Sequence, residues 1–162
     1  MGAASVLASA PMARFLTIVL TALFFGWGFV ASAKAQVLLS DTVIVPGDRI
    51  GPLVLGMTEA EIIAAAGQPE QRLMQGRDTL YSWGLVTARI PAGAMGVDEI
   101  VVMDTRYLTS QRIHVGSTDI AVTTSFGQPM KRAAASGLVT LDYDGIGFVQ
   151  RNGMVMQIRI RK

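Results

Sequence analysis

The chain has 162 residues, with 14 lysines and arginines against 12 aspartates and glutamates, a single histidine and no cysteine. The missing cysteine excludes a disulfide framework, a thiolate nucleophile and a cysteine-ligated metal, so the core alone must hold the fold. Setting aside Arg14 and Lys34 leaves 12 basic and 12 acidic residues, which excludes the basic stripe of a nucleic-acid binder.

Residues 15–33 carry no charge and are mostly apolar. Arg14 precedes them, and Ala31-Ser32-Ala33 and Ala33-Lys34-Ala35 follow. A basic residue, an apolar core and an A-x-A pattern describe a secretory signal peptide. The spacing predicts a leader over residues 1–35, cleaved between Ala35 and Gln36, and Met12-Ala13-Arg14 makes a more ordinary translation start than Met1. The rival reading keeps residues 15–33 as an uncleaved anchor, since a span needs about 20 apolar residues. The expected location is periplasmic or secreted, or the inner membrane if the anchor stays, with membrane contact only through this segment.

Residues 36–49 read as an entry segment, with Thr42-Val43-Ile44-Val45 as an edge strand before Pro46-Gly47. A phrase then occurs twice, sixty positions apart: Gly56-Met57-Thr58-Glu59 leading to Gly67-Gln68-Pro69, and Gly116-Ser117-Thr118-Asp119 leading to Gly127-Gln128-Pro129. Internal repetition signals two copies of one structural unit. In the first copy Thr58 caps a helix, Glu61 completes a capping box, and Met57 and Ile62 have staple spacing. Gly67 stops the helix and Pro69 prevents resumption. The second copy keeps the stop, but Ala121 replaces the capping-box glutamate. Both helices are about two turns long, too short to stand alone, so each must lie on a sheet.

Period-two alternation predicts the strands. Thr79, Tyr81, Trp83 and Leu85 share a face, as do Val139, Leu141 and Tyr143. A second strand follows in each copy (Val86, Ala88, Ile90; Ile146, Phe148, Gln150), and Asn152-Gly153 marks a hairpin. In the last strand Met154, Met156, Ile158 and Ile160 fall on the apolar face. Its partner, residues 99–103, is apolar on both faces, as if covered on both sides. The expected fold class is therefore α+β. Two tandem repeats, residues 50–104 and 112–162 joined by a linker at 105–111, each consist of a short helix followed by a three-stranded antiparallel meander, with the helices packed on one sheet face.

Gly56, Thr58, Gly67, Pro69 and Trp83, and again Gly116, Thr118, Gly127, Pro129 and Tyr143, carry a resemblance. The pattern resembles the BamE/SmpA family of outer-membrane assembly lipoproteins and is similar to the tandem repeat of the β-lactamase inhibitor protein (BLIP) family. It covers residue 50 to the C-terminus. The resemblance implies helices on an antiparallel sheet and a module that binds another protein. The chain departs from it in lacking the lipidated cysteine of the first family and the disulfides of the second.

The chemistry-bearing residues have architectural readings. His114 lies beside a helix start, and Ser117 and Asp119 are better placed as capping residues than as its partners in a triad. Asp98, Glu99, Asp104, Asp142 and Asp144 read as solvated strand residues. Met154 and Met156 could capture a soft metal but read first as core filling. The sequence thus names no catalytic residue, cofactor or metal ligand. It points to a non-enzymatic, exported protein-binding module whose partner is an envelope or secreted protein. Candidate interface residues are Tyr81, Trp83, Val101, Met103 and His114. A membrane-tethered structural protein, and a small hydrolase or ligand carrier using His114, are the alternatives.

Overall fold

The computed structural model describes residues 41–162. The expected leader, the Ala35/Gln36 cleavage site and residues 36–40 of the entry segment lie outside the described residues. Among the described residues no helix is long and apolar enough to cross a membrane.

The doubled phrase builds two helices, α1 (Glu59–Ala66) and α2 (Asp119–Phe126). At the start of α1 the Glu61 amide donates to Thr58 Oγ1 at 3.4 Å, and the Thr58 amide donates to Glu61 Oε2 at 2.8 Å. The Thr58 amide first, and the Thr58 hydroxyl donating to the same oxygen at 2.9 Å second, hold the Glu61 carboxyl below its usual range. At the start of α2 the Ala121 amide donates to Thr118 Oγ1 at 3.2 Å, with no reciprocal acid. The stops are Gly67 (φ 80°, ψ −175°) and Gly127 (φ 78°, ψ −153°). That backbone region belongs essentially to glycine, and it differs from the left-handed helical geometry expected from the motif.

The strands are β1 (Val43–Val45), β2 (Arg49–Ile50), β3 (Leu53–Val54), β4 (Gln71–Gln75), β5 (Asp78–Trp83), β6 (Val86–Ile90), β7 (Glu99–Val102), β8 (Leu108–Thr109), β9 (Lys131–Ala135), β10 (Leu138–Tyr143), β11 (Ile146–Arg151) and β12 (Met154–Arg161). Eight of them form one antiparallel sheet in the order β4-β5-β6-β7-β12-β11-β10-β9. The other four form a small sheet, β3-β2-β1-β8, in which β1 runs parallel to β8.

Pairing register explains the one-sided core. Tyr81, Ala88, Ile100, Ile160 and Ile146 stand in one row across the large sheet, and Val86, Val102, Ile158, Phe148 and Leu141 in the next. All ten are buried and share one cluster with Ile62 and Ala66 of α1, Val122 of α2, and Ile44, Ile50 and Leu53 of the small sheet. The opposite face carries Ser82, Thr87, Arg89, Glu99, Arg159 and Asp142.

This architecture overturns the expected α+β class. The described residues are mostly β, 45% strand against 13% helix, and their strands fall into sheets of four and eight rather than a tandem pair of helix-plus-three-stranded-meander units. Two physical reasons account for the difference. Strands β4 and β9 (QRLMQ and KRAAA) are exposed at every position, so no apolar alternation marks them; hydrogen bonds to β5 and β10 hold them instead. The segments expected to enter and link the repeats, together with residues 50–54 of the expected first repeat, supply the small sheet. Strand β7 also differs from expectation. Ile100 and Val102 are fully buried but Val101 is only half-buried, so one face is covered, and its other neighbours are β6 and β12 in the plane of the sheet.

Candidate functional site

Tyr81 and Trp83, two of the expected interface residues, point into the core at 2% and 6% exposure and cannot meet a partner. Their work is internal. Trp83 Nε1 donates to the Gly67 carbonyl at 3.0 Å, and Tyr143 Oη donates to the Gly127 carbonyl at 3.1 Å. Each aromatic therefore ties its sheet to the glycine that stops its helix. The Arg72 guanidinium lies 5.4 Å from the Tyr81 ring centre and pairs with Glu59 at 3.1 Å. The second copy repeats the ion pair as Arg132 with Asp119 at 3.7 Å.

The surface residues converge elsewhere. Met103 leaves the end of β7, its amide bonded to the Leu85 carbonyl at 2.9 Å. Met154 and Met156 stand on β12. A register shift opposite Val149 and Gln150 turns Val155 into the core while both methionines stay outside, which reverses their expected place on the buried face. The Asn152-Gly153 turn, with φ of 52° and 74°, carries the hairpin between β11 and β12. These elements line a shallow groove of about 580 Å³, widely open to solvent and bordered by the three methionines with Val115 and Val155, and with Arg151 near the hairpin turn. Met103, Met154 and Met156 are 43%, 50% and 44% exposed.

The doubled phrase positions this groove. The Gly116 amide donates to the Val155 carbonyl at 2.7 Å, and the Val155 amide to the Ser117 carbonyl at 2.8 Å. The first copy makes the matching pair, Gly56 to Val97 at 2.7 Å and Val97 to Met57 at 2.8 Å. There, however, Gly96 and Asp98 flank the central valine where the second copy has Met154 and Met156. Gly96 packs directly on the Gly56 backbone, where a Cβ would overlap the carbonyl, and Asp98 pairs with Arg89 at 2.8 Å. Met154 and Met156 are thus a property of the second copy alone, and Met103 comes to the groove from the first.

His114 stands beside the groove wall, its ring atoms 3.8 and 3.9 Å from where a Cβ on Gly116 would lie. Its Nδ1 is 2.7 Å from the Val115 carbonyl, so Nδ1 carries the proton and donates. Ser117 Oγ accepts from the His114 backbone amide at 3.0 Å, and Asp119 faces Arg132. The three residues do not form a relay. Among the described residues no three histidine, aspartate or glutamate side chains cluster to hold a metal.

The acids expected to be solvated are mostly paired. Arg159 and Arg161 reach Asp142 at 2.9 and 3.3 Å, crossing the strand position held by Gly147, where a Cβ would lie 2.8 Å from both Arg159 Nε and Asp142 Oδ1. Arg106 grips Asp104 through both carboxylate oxygens and holds its carboxyl below the usual range. Burial pushes the neighbouring Tyr107 phenol up to about 12, with the Asp104 charge adding to the effect. Asp144 is exposed, as expected.

No family profile and no curated protein matches the chain. Some solved structures are similar to it. The DUF4309 family protein YjgB from Bacillus subtilis aligns at a TM-score of 0.51 and 16% identity, over 79% of this chain and 91% of its own. An extracellular protein containing an SCP domain from Bacillus anthracis aligns at 0.49 and 8% identity, over 67% of this chain and 44% of its own. The uncharacterized protein yfeY from Escherichia coli aligns at 0.48 and 14% identity, over 73% of this chain and 99% of its own. These three are described neither as assembly lipoproteins nor as β-lactamase inhibitors.

Proposed function

We propose that this chain is an exported, non-enzymatic protein-binding module, periplasmic or secreted, and that the methionine groove is its binding surface. The observation that carries the reading is the convergence of three half-exposed methionines from β7 and β12 on one apolar groove. Methionine is the side chain that adapts most readily to a partner's contour, and exposed apolar concavities mark binding sites. Arg151 is the charged residue of the lining, so the occupant is an apolar segment of an exported protein that carries a carboxylate beside it. The tandem motif's resemblance to protein-binding modules and the sequence of residues 15–33 support the binding role and the export.

Site-directed photocrosslinking tests it in the cells that make the protein. A photoreactive residue at position 154 or 156 is expected to capture one recurrent envelope or secreted protein. The same residue at Met95 or Met130, which are 86% and 78% exposed, is expected not to. Equal capture from all four positions, or none from the groove, would overturn the reading.

A further inference from the structure

We propose that the same groove is a thioether site for a soft monovalent cation, Cu(I) or its redox-inert analogue Ag(I), held by the sulfurs of Met103, Met154 and Met156. The proposal stands apart from protein docking because it depends on sulfur rather than on apolar shape.

Three observations carry it. First, residues about fifty positions apart in the chain bring three thioethers to one concavity. Second, the lining contains no carboxylate and no imidazole, His114 standing beside the wall and not in it. Hard and borderline cations find no suitable donor set there, whereas soft sulfur selects Cu(I). Third, the residue choice is unexplained by the fold. Exposed strand positions favour β-branched, aromatic or charged residues, yet both positions flanking Val155 are methionine, while the first copy has Gly96 and Asp98 there. Arg151 does not forbid the ion, because it is exposed at the hairpin end and water and salt screen its charge.

The test is a titration of Ag(I) into the protein as cells yield it, followed by the methionine ε-methyl resonances. Met103, Met154 and Met156 are expected to shift together and saturate at one metal per chain. The exposed Met74, Met95 and Met130 are expected to stay in place. A parallel Cu(I) competition against a chromophoric chelator is expected to give the same stoichiometry. The triple variant Met103→Leu, Met154→Leu, Met156→Leu conserves volume and apolarity. It is expected to lose the metal yet keep any crosslinked partner, which separates this proposal from the docking reading. Should the triple variant fold poorly, the single Met154→Leu variant reports the same loss of affinity. The proposal is overturned if all six methyl groups respond alike, if none responds, or if the leucine variants bind the metal as tightly as the parent.

Discussion

Gln150 shows how one side chain records the divergence of the two halves. It occupies the place that Ile90 holds sixty residues earlier, on the inner face of its strand. It is 1% exposed, and its amide nitrogen has no hydrogen-bond partner among the described residues. A buried donor left unmet costs about 1 to 3 kcal/mol. Replacing Gln150 with leucine, close in volume, is expected to raise stability by roughly 1 kcal/mol, read as a higher urea midpoint at unchanged slope. A lower midpoint would show that the amide contributes a favourable contact. Pattern alone places position 150 on the inner face, but it says nothing about whether a buried amide finds a partner. That depends on Val155 and Val139 across the strand pairs.

At the scale of elements, local chemistry was the legible part. Thr58 with Glu61, and Gly67 with Pro69, bracket α1 because a cap and a stop need only residues a few positions apart. The Trp83 and Tyr143 bonds to the stopping glycines were half legible. Both aromatics were visible at matching positions, but their donors reach sixteen residues back to a carbonyl that only the fold brings near. Removing the hydroxyl alone, Tyr143→Phe, is expected to cost about 0.5 to 1 kcal/mol in chemical denaturation, since it trades a hydrogen bond to an exposed helix-end carbonyl for one with water and leaves the aromatic packing on Phe126 and Phe148 in place. No change would assign the anchoring to ring packing instead. Strands β4 and β9 were illegible for the opposite reason, because an edge strand exposed at every residue leaves no burial pattern in its sequence.

At the scale of the molecule, repetition indicated two units but not how they join. The seam is the antiparallel pairing of β7 with β12, where Ile158 faces Val102 and Ile160 faces Ile100, and it merges both halves into one eight-stranded sheet with a single core. The seam also places Met103 beside the end of β12, so the groove exists only because the halves fuse. Its methionines could not be located from alternation, since the register shift near Val149 and Gln150 inverts the face on which Met154 and Met156 emerge. YjgB shares the fold at 16% identity, and the fold alone carries no statement about what the groove holds. The doubled phrase is scaffold, and the proposed binding surface takes Met154 and Met156 from the place where the second copy departs from the first.

That claim is tested most directly by giving the second copy the first copy's residues: Met154→Gly with Met156→Asp. Both positions are half-exposed, so the sheet is expected to persist, with the circular dichroism spectrum unchanged and the protein still folding cooperatively. The measurement is binding by this folded variant, both of the crosslinked protein partner and of Ag(I). The account predicts that both are lost together. A variant that folds and still binds both would contradict it.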